Sequence, residues 1–241
     1  MSSINFQDVE KFYRKQKVIN KLTLSIHNKE LYGLVGPSGC GKSTLIKLLL
    51  GIQFVNSGSI YYDKQNITNK PAILKKIVGY CTQENSFYSE LTVEENFTYY
   101  GRMYHLPLAI LKERTQELLS LTGLQFSRKR LAQSLSGGMK RRLDFGIALV
   151  HDPDILILDE PTTGLDPILR EKIFQLIKDI NMKGKTVILI SHHLSYLQRY
   201  CTRIGIMDQG VIKIEINPLK IPKKLSAHHN LEEVFQTLFH L

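Results

Sequence analysis

The stretch "ELYGLVGPSGCGKSTLIKLLLG" (residues 30–51) leaves the chain few folds to choose from. A short apolar segment of strand character runs into a glycine loop and then an apolar segment of helical character. Gly36, Gly41, Lys42 and Ser43 fit the pattern G-x-x-x-x-G-K-[ST]. The glycines let backbone amides curl around phosphate oxygens. Lys42 brings a point charge to the β- and γ-phosphates, Ser43 offers a hydroxyl to Mg²⁺, and Thr44 can donate to a further phosphate oxygen. Strand before and helix after place the chain in the α/β class and make it a nucleotide binder. Cys40 reads as a small filler of a loop position that needs one; the alternative is that backbone N–H groups around it favour the thiolate and make it sensitive to thiol reagents.

Three further segments end in polar residues where α/β sheets bind ligands. In "DPDILILDEPTTGLDP" (152–167) a turn is followed by four apolar residues and then Asp159 and Glu160. A continuous apolar run of this kind reads as a strand buried on both faces. Two carboxylates at its end can divide the work: one holds Mg²⁺ through water, the next polarises an attacking water. "TVILISHH" repeats the pattern and ends in Ser191 and His192, a histidine able to reach a γ-phosphate. "VGYCTQENSFY" puts Gln83 just after a strand, within reach of metal or water.

A second phosphate site lies about a hundred residues after the first. From "QSLSGGMKRRLDF" (133–145) onward, Met139, Leu143 and Ile147 recur at helical spacing. The start of that helix presents Ser136, the amides of Gly137 and Gly138, and the positive charge of the residues that follow.

Composition sets the remaining bounds. The chain has 241 residues, 43% hydrophobic and 22% charged, enough apolar material for one large domain or one domain in two lobes. No apolar run reaches the ~18 residues of a membrane span, and "MSSINFQDVEKFY" has no apolar core like that of a signal peptide. Cys40, Cys81 and Cys201 give no disulfide framework and no metal spacing, which suits a reducing cytosol. The net charge of +10 is spread out, without an aromatic-interleaved stripe, and favours an anionic membrane surface over nucleic acid; no nucleic-acid partner is expected.

The organisation follows. "INFQDV", "LTLSI" and "SGSIYYD" alternate enough to suggest an antiparallel flank. "LTVEENF" offers a capping box from Thr92 to Glu95. "LPLAILKERTQELLSLTGL" has helical periodicity ending at Gly123, and Asp166-Pro167 forms an N-cap and first-turn pair for a helix through Asn181, stopped near Gly184. The tail of residues 217–229, with a basic "PKK", reads as a linker. Asn230 then caps a last helix whose Leu231, Val234, Phe235, Leu238 and Phe239 form one apolar face, packed on the core or docking a partner. His193 is expected to be solvated.

Taken in this order, the motifs resemble the nucleotide-binding subunit of ABC transporters over nearly the whole chain. "GPSGCGKST" (Gly36, Pro37, Ser38, Gly39, Cys40, Gly41, Lys42, Ser43, Thr44) is similar to Walker A, Gln83 to the Q-loop glutamine, and "LSGGM" to the signature. "ILILD" with Asp159 and then Glu160 looks like Walker B, "GLD" with Asp166 like the D-loop, His192 like the switch histidine, and Tyr13 like the adenine-stacking aromatic. The resemblance implies a P-loop NTPase core with a mixed sheet and an antiparallel β flank (1–83 and 152–217), an inserted helical subdomain (84–151), and a C-terminal linker and helix (218–241). It implies ATP and Mg²⁺, with Lys42, Ser43, Gln83 and Asp159 around phosphates and metal, Glu160 as general base, and His192 at the γ-phosphate. Asp166 would communicate across a dimer. Two such chains, alike or different, would pack head to tail, each ATP between one Walker A and the partner's Ser136, Gly137 and Gly138. An integral membrane permease would hold the chain on the cytoplasmic face. Met139 stands where many members have glutamine, and "LSGGMKRR" is similar to the ATPases of drug, polysaccharide and lipid exporters; Met139 is equally readable as a packing residue. The alternative function is a soluble ABC-type ATPase without transport, although such proteins usually carry two of these domains or a long coiled coil. Glu160 and His192 together argue against a non-hydrolysing regulator.

Overall fold

The computed structural model describes residues 3–222, 226 and 230–239. In chain order the elements are β1 (Ser3–Tyr13), β2 (Gln16–His27), β3 (Leu31–Val35), α1 (Lys42–Leu49), β4 (Ser57–Tyr62), β5 (Gln65–Asn66), α2 (Pro71–Ile77), β6 (Val78–Cys81), α3 (Val93–Met103) and α4 (Leu108–Leu121). There follow α5 (Gly137–Ala148), β7 (Ile155–Asp159), α6 (Pro167–Met182), β8 (Thr186–Ile190), α7 (Leu194–Tyr200), β9 (Arg203–Asp208), β10 (Val211–Ile216) and α8 (Leu231–Phe239). The backbone divides into two compact units: Met1–Lys75 with Asn181–Leu241, and Lys76–Ile180.

In the first unit β2, β1, β4 and β5 form an antiparallel sheet, the expected flank. Ile4, Phe6 and Val9 of β1 are buried. The register shifts between Phe6 and Val9, where Asp8 takes a φ of 47°. β3 pairs in parallel with β8 and β9, and β9 antiparallel with β10, so this sheet is mixed. β3 (LYGLV) and β8 (TVILI) are buried at every position. Their unbroken apolar runs are what strands covered on both faces require.

A charge network secures these strands. Arg203 donates to Glu30 Oε1 at 2.8 Å, to Glu30 Oε2 at 3.0 Å and to the Ser25 carbonyl, and pairs with Glu215 at 3.0 Å. The Tyr32 hydroxyl donates to Glu215 Oε1 at 3.0 Å. Burial, then the nearby Glu215 carboxylate, raises the Tyr32 phenol well above its ordinary value. Removing one partner would leave another charge buried and uncompensated.

The last helix packs on the core. Leu231 and Val234 of α8 are fully buried, α8 lies against α7, and the Leu231 N–H donates to Gln198 Oε1 at 2.9 Å. Asn230 Oδ1 accepts from the Glu232 N–H at 2.8 Å, the expected cap. Pro218, Ile221 and Ser226, inside the stretch read as a linker, are buried. Residues 223–225 and 227–229, which include both lysines of "PKK", lie outside the described residues.

In the second unit β6 and β7 pair in parallel, from Val78 opposite Ile155 to Cys81 opposite Leu158. The capping box opens α3: Thr92 Oγ1 accepts from the Glu95 N–H at 3.2 Å, and Glu95 Oε2 accepts from the Thr92 N–H at 2.8 Å. Those bonds, the backbone one first, hold the Glu95 carboxyl below its ordinary value. Asp166 Oδ1 accepts from the N–H groups of Ile168 and Leu169, both at 3.0 Å, so α6 begins as expected with Pro167 in its first turn. Among the described residues no helix is long and apolar enough to cross a membrane.

Candidate nucleotide site

The first unit builds a glycine loop whose main chain can cradle phosphate. β3 ends at Val35, and the loop returns into α1 with Gly41 at a φ of 113°, a conformation closed to residues with a side chain. A Cβ on Gly36 would stand 2.0 Å from the Met207 carbonyl oxygen, so the loop's entry also needs glycine. Lys42 Nζ bends back over its own loop, donating to the carbonyls of Gly36 at 2.8 Å and Pro37 at 2.9 Å, with Cys40 Sγ at 3.7 Å. Ser38, Gly39 and Ser43 are exposed, Thr44 is half-buried and Cys40 is buried. Cys40 is thus the small filler its position asked for.

A cavity of about 300 Å³ adjoins this loop, lined by Pro37–Cys40 on one side and by Gln16, Lys17, Val18, Asp208 and Gly210 on others. Tyr13, exposed, begins the hairpin that carries Gln16 and Val18, and Lys11 Nζ lies 5.3 Å from its ring centre. β3 and β8 are paired through Leu34 and Ile190. Gly36 and His192 each lie two residues beyond that pair, so both follow the same C-terminal end of the paired strands. His192 is exposed, its ring 4.1 Å from that of His193. His193 is not solvated as expected: it is half-buried, with its N–H on Ser191 Oγ at 3.2 Å and its ring beside Tyr196.

The second unit holds the carboxylates, Gln83 and the signature segment. β7 delivers Asp159, 9% exposed, at its last position. Glu160 follows with a φ of 50°, a left-handed conformation that costs a non-glycine residue energy. The Tyr80 hydroxyl lies 3.5 Å from Asp159 Oδ2. Burial, and then the Asp159 charge, pushes the Tyr80 phenol up to about 12, so it remains a donor at neutral pH. Tyr80 was missed from sequence, but the parallel register would have found it: it pairs with Ile157, two residues before Asp159 and on the same face. Gln83 is exposed, in a turn closed by Thr82 Oγ1 donating to the Glu84 carbonyl at 2.5 Å.

Ser136 is the N-cap of α5, its Oγ accepting from the Met139 N–H at 3.4 Å. Ser136 and Gly137 are exposed and Gly138 is half-buried. Around Gly137 a Cβ would meet nothing within 4 Å, whereas at Gly138 it would stand 2.6 Å from Leu169 Cδ1. The positive charge expected behind this helix start is largely turned inward. Arg141 is 6% exposed, and Arg142 donates to the carbonyls of Thr122 at 2.8 Å and Gly123 at 3.3 Å. Both guanidiniums meet main-chain oxygens that no periodicity displays. Asp166, the α6 cap, is exposed.

The hydroxyl, amide and carboxylate oxygens of Ser43, Gln83 and Asp159 are hard donors of the type Mg²⁺ takes together with substrate phosphates.

Known proteins agree with this arrangement. The family model described as ABC transporter matches residues 19–163. Linearmycin resistance ATP-binding protein LnrL of Bacillus subtilis (strain 168) is 39% identical over 204 residues, 85% of this chain and 66% of that protein. Nod factor export ATP-binding protein I of Neorhizobium galegae is 34% identical over 219 residues, 91% of this chain and 63% of that protein. The chain therefore spans just under two thirds of the length of these two curated relatives. The dimeric structure of MJ0796, a bacterial ABC transporter cassette, superposes with a TM-score of 0.81 at 26% identity, over 89% of this chain and 98% of that one. With the phosphate loop, the strand-end carboxylates and the capped glycine helix all inside or beside the matched segment, the chain belongs to the ABC transporter family and is one of its ATPase cassettes.

Proposed function

We propose that this chain is the ATP-hydrolysing nucleotide-binding subunit of an ABC exporter, and that it works as a head-to-tail dimer on a separate membrane permease. The observation that carries the reading is the exposed start of α5: Ser136 and Gly137 face solvent, free to receive a phosphate from another chain. Each ATP would lie between the loop of residues 36–44 of one chain and that helix start of its partner, with Tyr13 against the adenine. Only ATP brings a γ-phosphate to both surfaces, so ATP favours the closed dimer and hydrolysis releases it. A relative named for Nod factor export supports the direction, and the dimeric cassette supports the pairing.

In the proposed division of labour Lys42 and the loop amides hold the β- and γ-phosphates. Ser43, Gln83 and Asp159 would hold Mg²⁺, which offsets phosphate charge. Glu160 takes the proton of the attacking water, His192 touches the γ-phosphate, and Asp166 lies at the dimer contact. The lobes divide as a core of 1–83 and 152–217 and a helical subdomain of 84–151, held at the cytoplasmic face through the permease.

Glu160→Gln tests the reading. It keeps the shape of the side chain and removes the base, so turnover should fall about 10²-fold or more while ATP still binds and a dimer accumulates by size-exclusion chromatography. Turnover equal to wild type at saturating ATP would remove Glu160 from the mechanism.

A further inference from the structure

Arg141 lies one turn into α5, and its side chain is turned into the second unit, 6% exposed. Its guanidinium spends four hydrogen bonds on main-chain carbonyls. Nε donates to Pro161 at 2.9 Å, Nη2 to Asp159 at 3.0 Å and to Glu160 at 2.9 Å, and Nη1 to Thr82 at 2.6 Å. Three of these acceptors are consecutive and enclose Glu160; the fourth immediately precedes Gln83.

The convergence is chemically specific. Three successive carbonyls can point at one centre because Glu160 takes its φ of 50°. Their dipoles would repel one another without a cation between them. Arg supplies a planar fork of five donors, so one side chain can serve several carbonyls at fixed angles, whereas Lys offers a compact ammonium with three. The same helix takes a second hold three residues on. Asp144, 1% exposed, accepts from the Ser86 N–H at 2.7 Å and the Ser86 hydroxyl at 2.8 Å, beyond the Gln83 turn.

We propose that Arg141 is a positioning residue for hydrolysis. It holds the strained turn that aims the Glu160 carboxylate, fixes the turn that carries Gln83, and ties both to the helix that begins at Ser136. Engagement of α5 by the partner's nucleotide thereby reaches this chain's own base through a single side chain. The proposal rests on the reading of Glu160 as base.

The test compares Arg141→Lys and Arg141→Gln in the full chain, alone and with Glu160→Gln. Steady-state and single-turnover ATP hydrolysis are measured beside titration with a fluorescent ATP analogue. Arg141→Lys should lower kcat about 10-fold or more and leave nucleotide affinity within about twofold, the signature of an interaction that matters to the chemical step. With the base already removed by Glu160→Gln, the same substitution should change the residual turnover by less than about twofold, because residues acting through one another are not additive. A merely structural role predicts an equal fold-loss in both backgrounds, and that result overturns the proposal. So does wild-type kcat in both single variants, or loss of nucleotide affinity together with turnover in both. If Arg141→Gln fails to fold, Arg141→Lys carries the comparison. Wild-type hydrolysis by Glu160→Gln alone would overturn the base reading instead, and is scored separately.

Discussion

Lys42→Ala separates what this lysine does for the loop from what it does for the nucleotide. Its Nζ donates to two carbonyls of its own loop, at 2.8 and 2.9 Å. Gly36, Pro37 and Lys42 are all half-buried, so water can replace the lost donor. The unliganded chain should therefore lose less than about 1 kcal/mol, the net worth of a typical exchangeable hydrogen bond. With ATP the balance changes, because a charge-assisted contact to phosphate contributes about 1.5–3 kcal/mol. A loss of about 2.7 kcal/mol is a 100-fold weaker Kd. ATP at 100 times the wild-type Kd stabilises the folded chain by about 2.7 kcal/mol, and at a Kd raised 100-fold by only about 0.4 kcal/mol. At roughly 2–4 °C per kcal/mol for a chain of this size, the ATP-induced rise in Tm should shrink from about 5–10 °C to about 1–2 °C. Thermal denaturation of both proteins, with and without Mg²⁺ and ATP, reads both quantities. An undiminished ATP-induced rise in the variant would refute the phosphate role. A fall in the unliganded midpoint as large as the missing rise would assign Lys42 to the loop instead.

Two further outcomes are expected. Thr92→Ala removes one half of the capping box and should cost about 1 kcal/mol, a fall of about 2–4 °C in Tm, with ATP affinity unchanged in the same titration used for Arg141. Burial raises the Asp144 carboxyl above its ordinary value, and its Oδ2 has no hydrogen-bond partner among the described residues. A raised carboxyl contributes stability below its unfolded pKa and loses it as pH rises through the folded one. Urea unfolding should then show wild type losing ground to Asp144→Asn between pH 4 and pH 7, and a difference that grows in favour of wild type over that window would contradict the assignment.

Local signals were legible where one residue type answers one backbone need. Gly41 with its φ of 113°, the Thr92–Glu95 pair, Asp166 before Pro167 and Asn230 before α8 each answer a backbone need at or close to their own position in sequence, and each stands where expected. The apolar runs of β3, β7 and β8 were equally plain, because strands buried on both faces tolerate no polar alternation. Arg141 and Asp144 were not legible. In sequence they read as charge on a helix that starts at a phosphate site; in the structure they meet Thr82, Pro161 and Ser86, up to 59 residues away. All but the Ser86 hydroxyl are main-chain atoms, and sequence spacing carries no mark of a carbonyl that turns toward a distant guanidinium. Tyr80 lies between these cases, since its reach to Asp159 follows once β6 and β7 are known to be parallel and in register.

The two glycines at the start of α5 are unequal in a way their adjacency hides. At Gly138 the chain itself enforces the choice, since Leu169 occupies the space a methyl group would need. At Gly137 nothing in this chain objects to a larger residue. Any constraint against a side chain there would have to come from outside this chain, so an isolated cassette is a poor judge of that position. Folding screens should accept substitutions at 137 and reject them at 138, and under the proposed pairing only an ATPase assay on the dimer would register a change at 137. If the proposed head-to-tail pairing holds, neighbouring letters of one motif answer to two selectors, one that acts when the chain folds and one that would act only when the chain meets its partner's ATP.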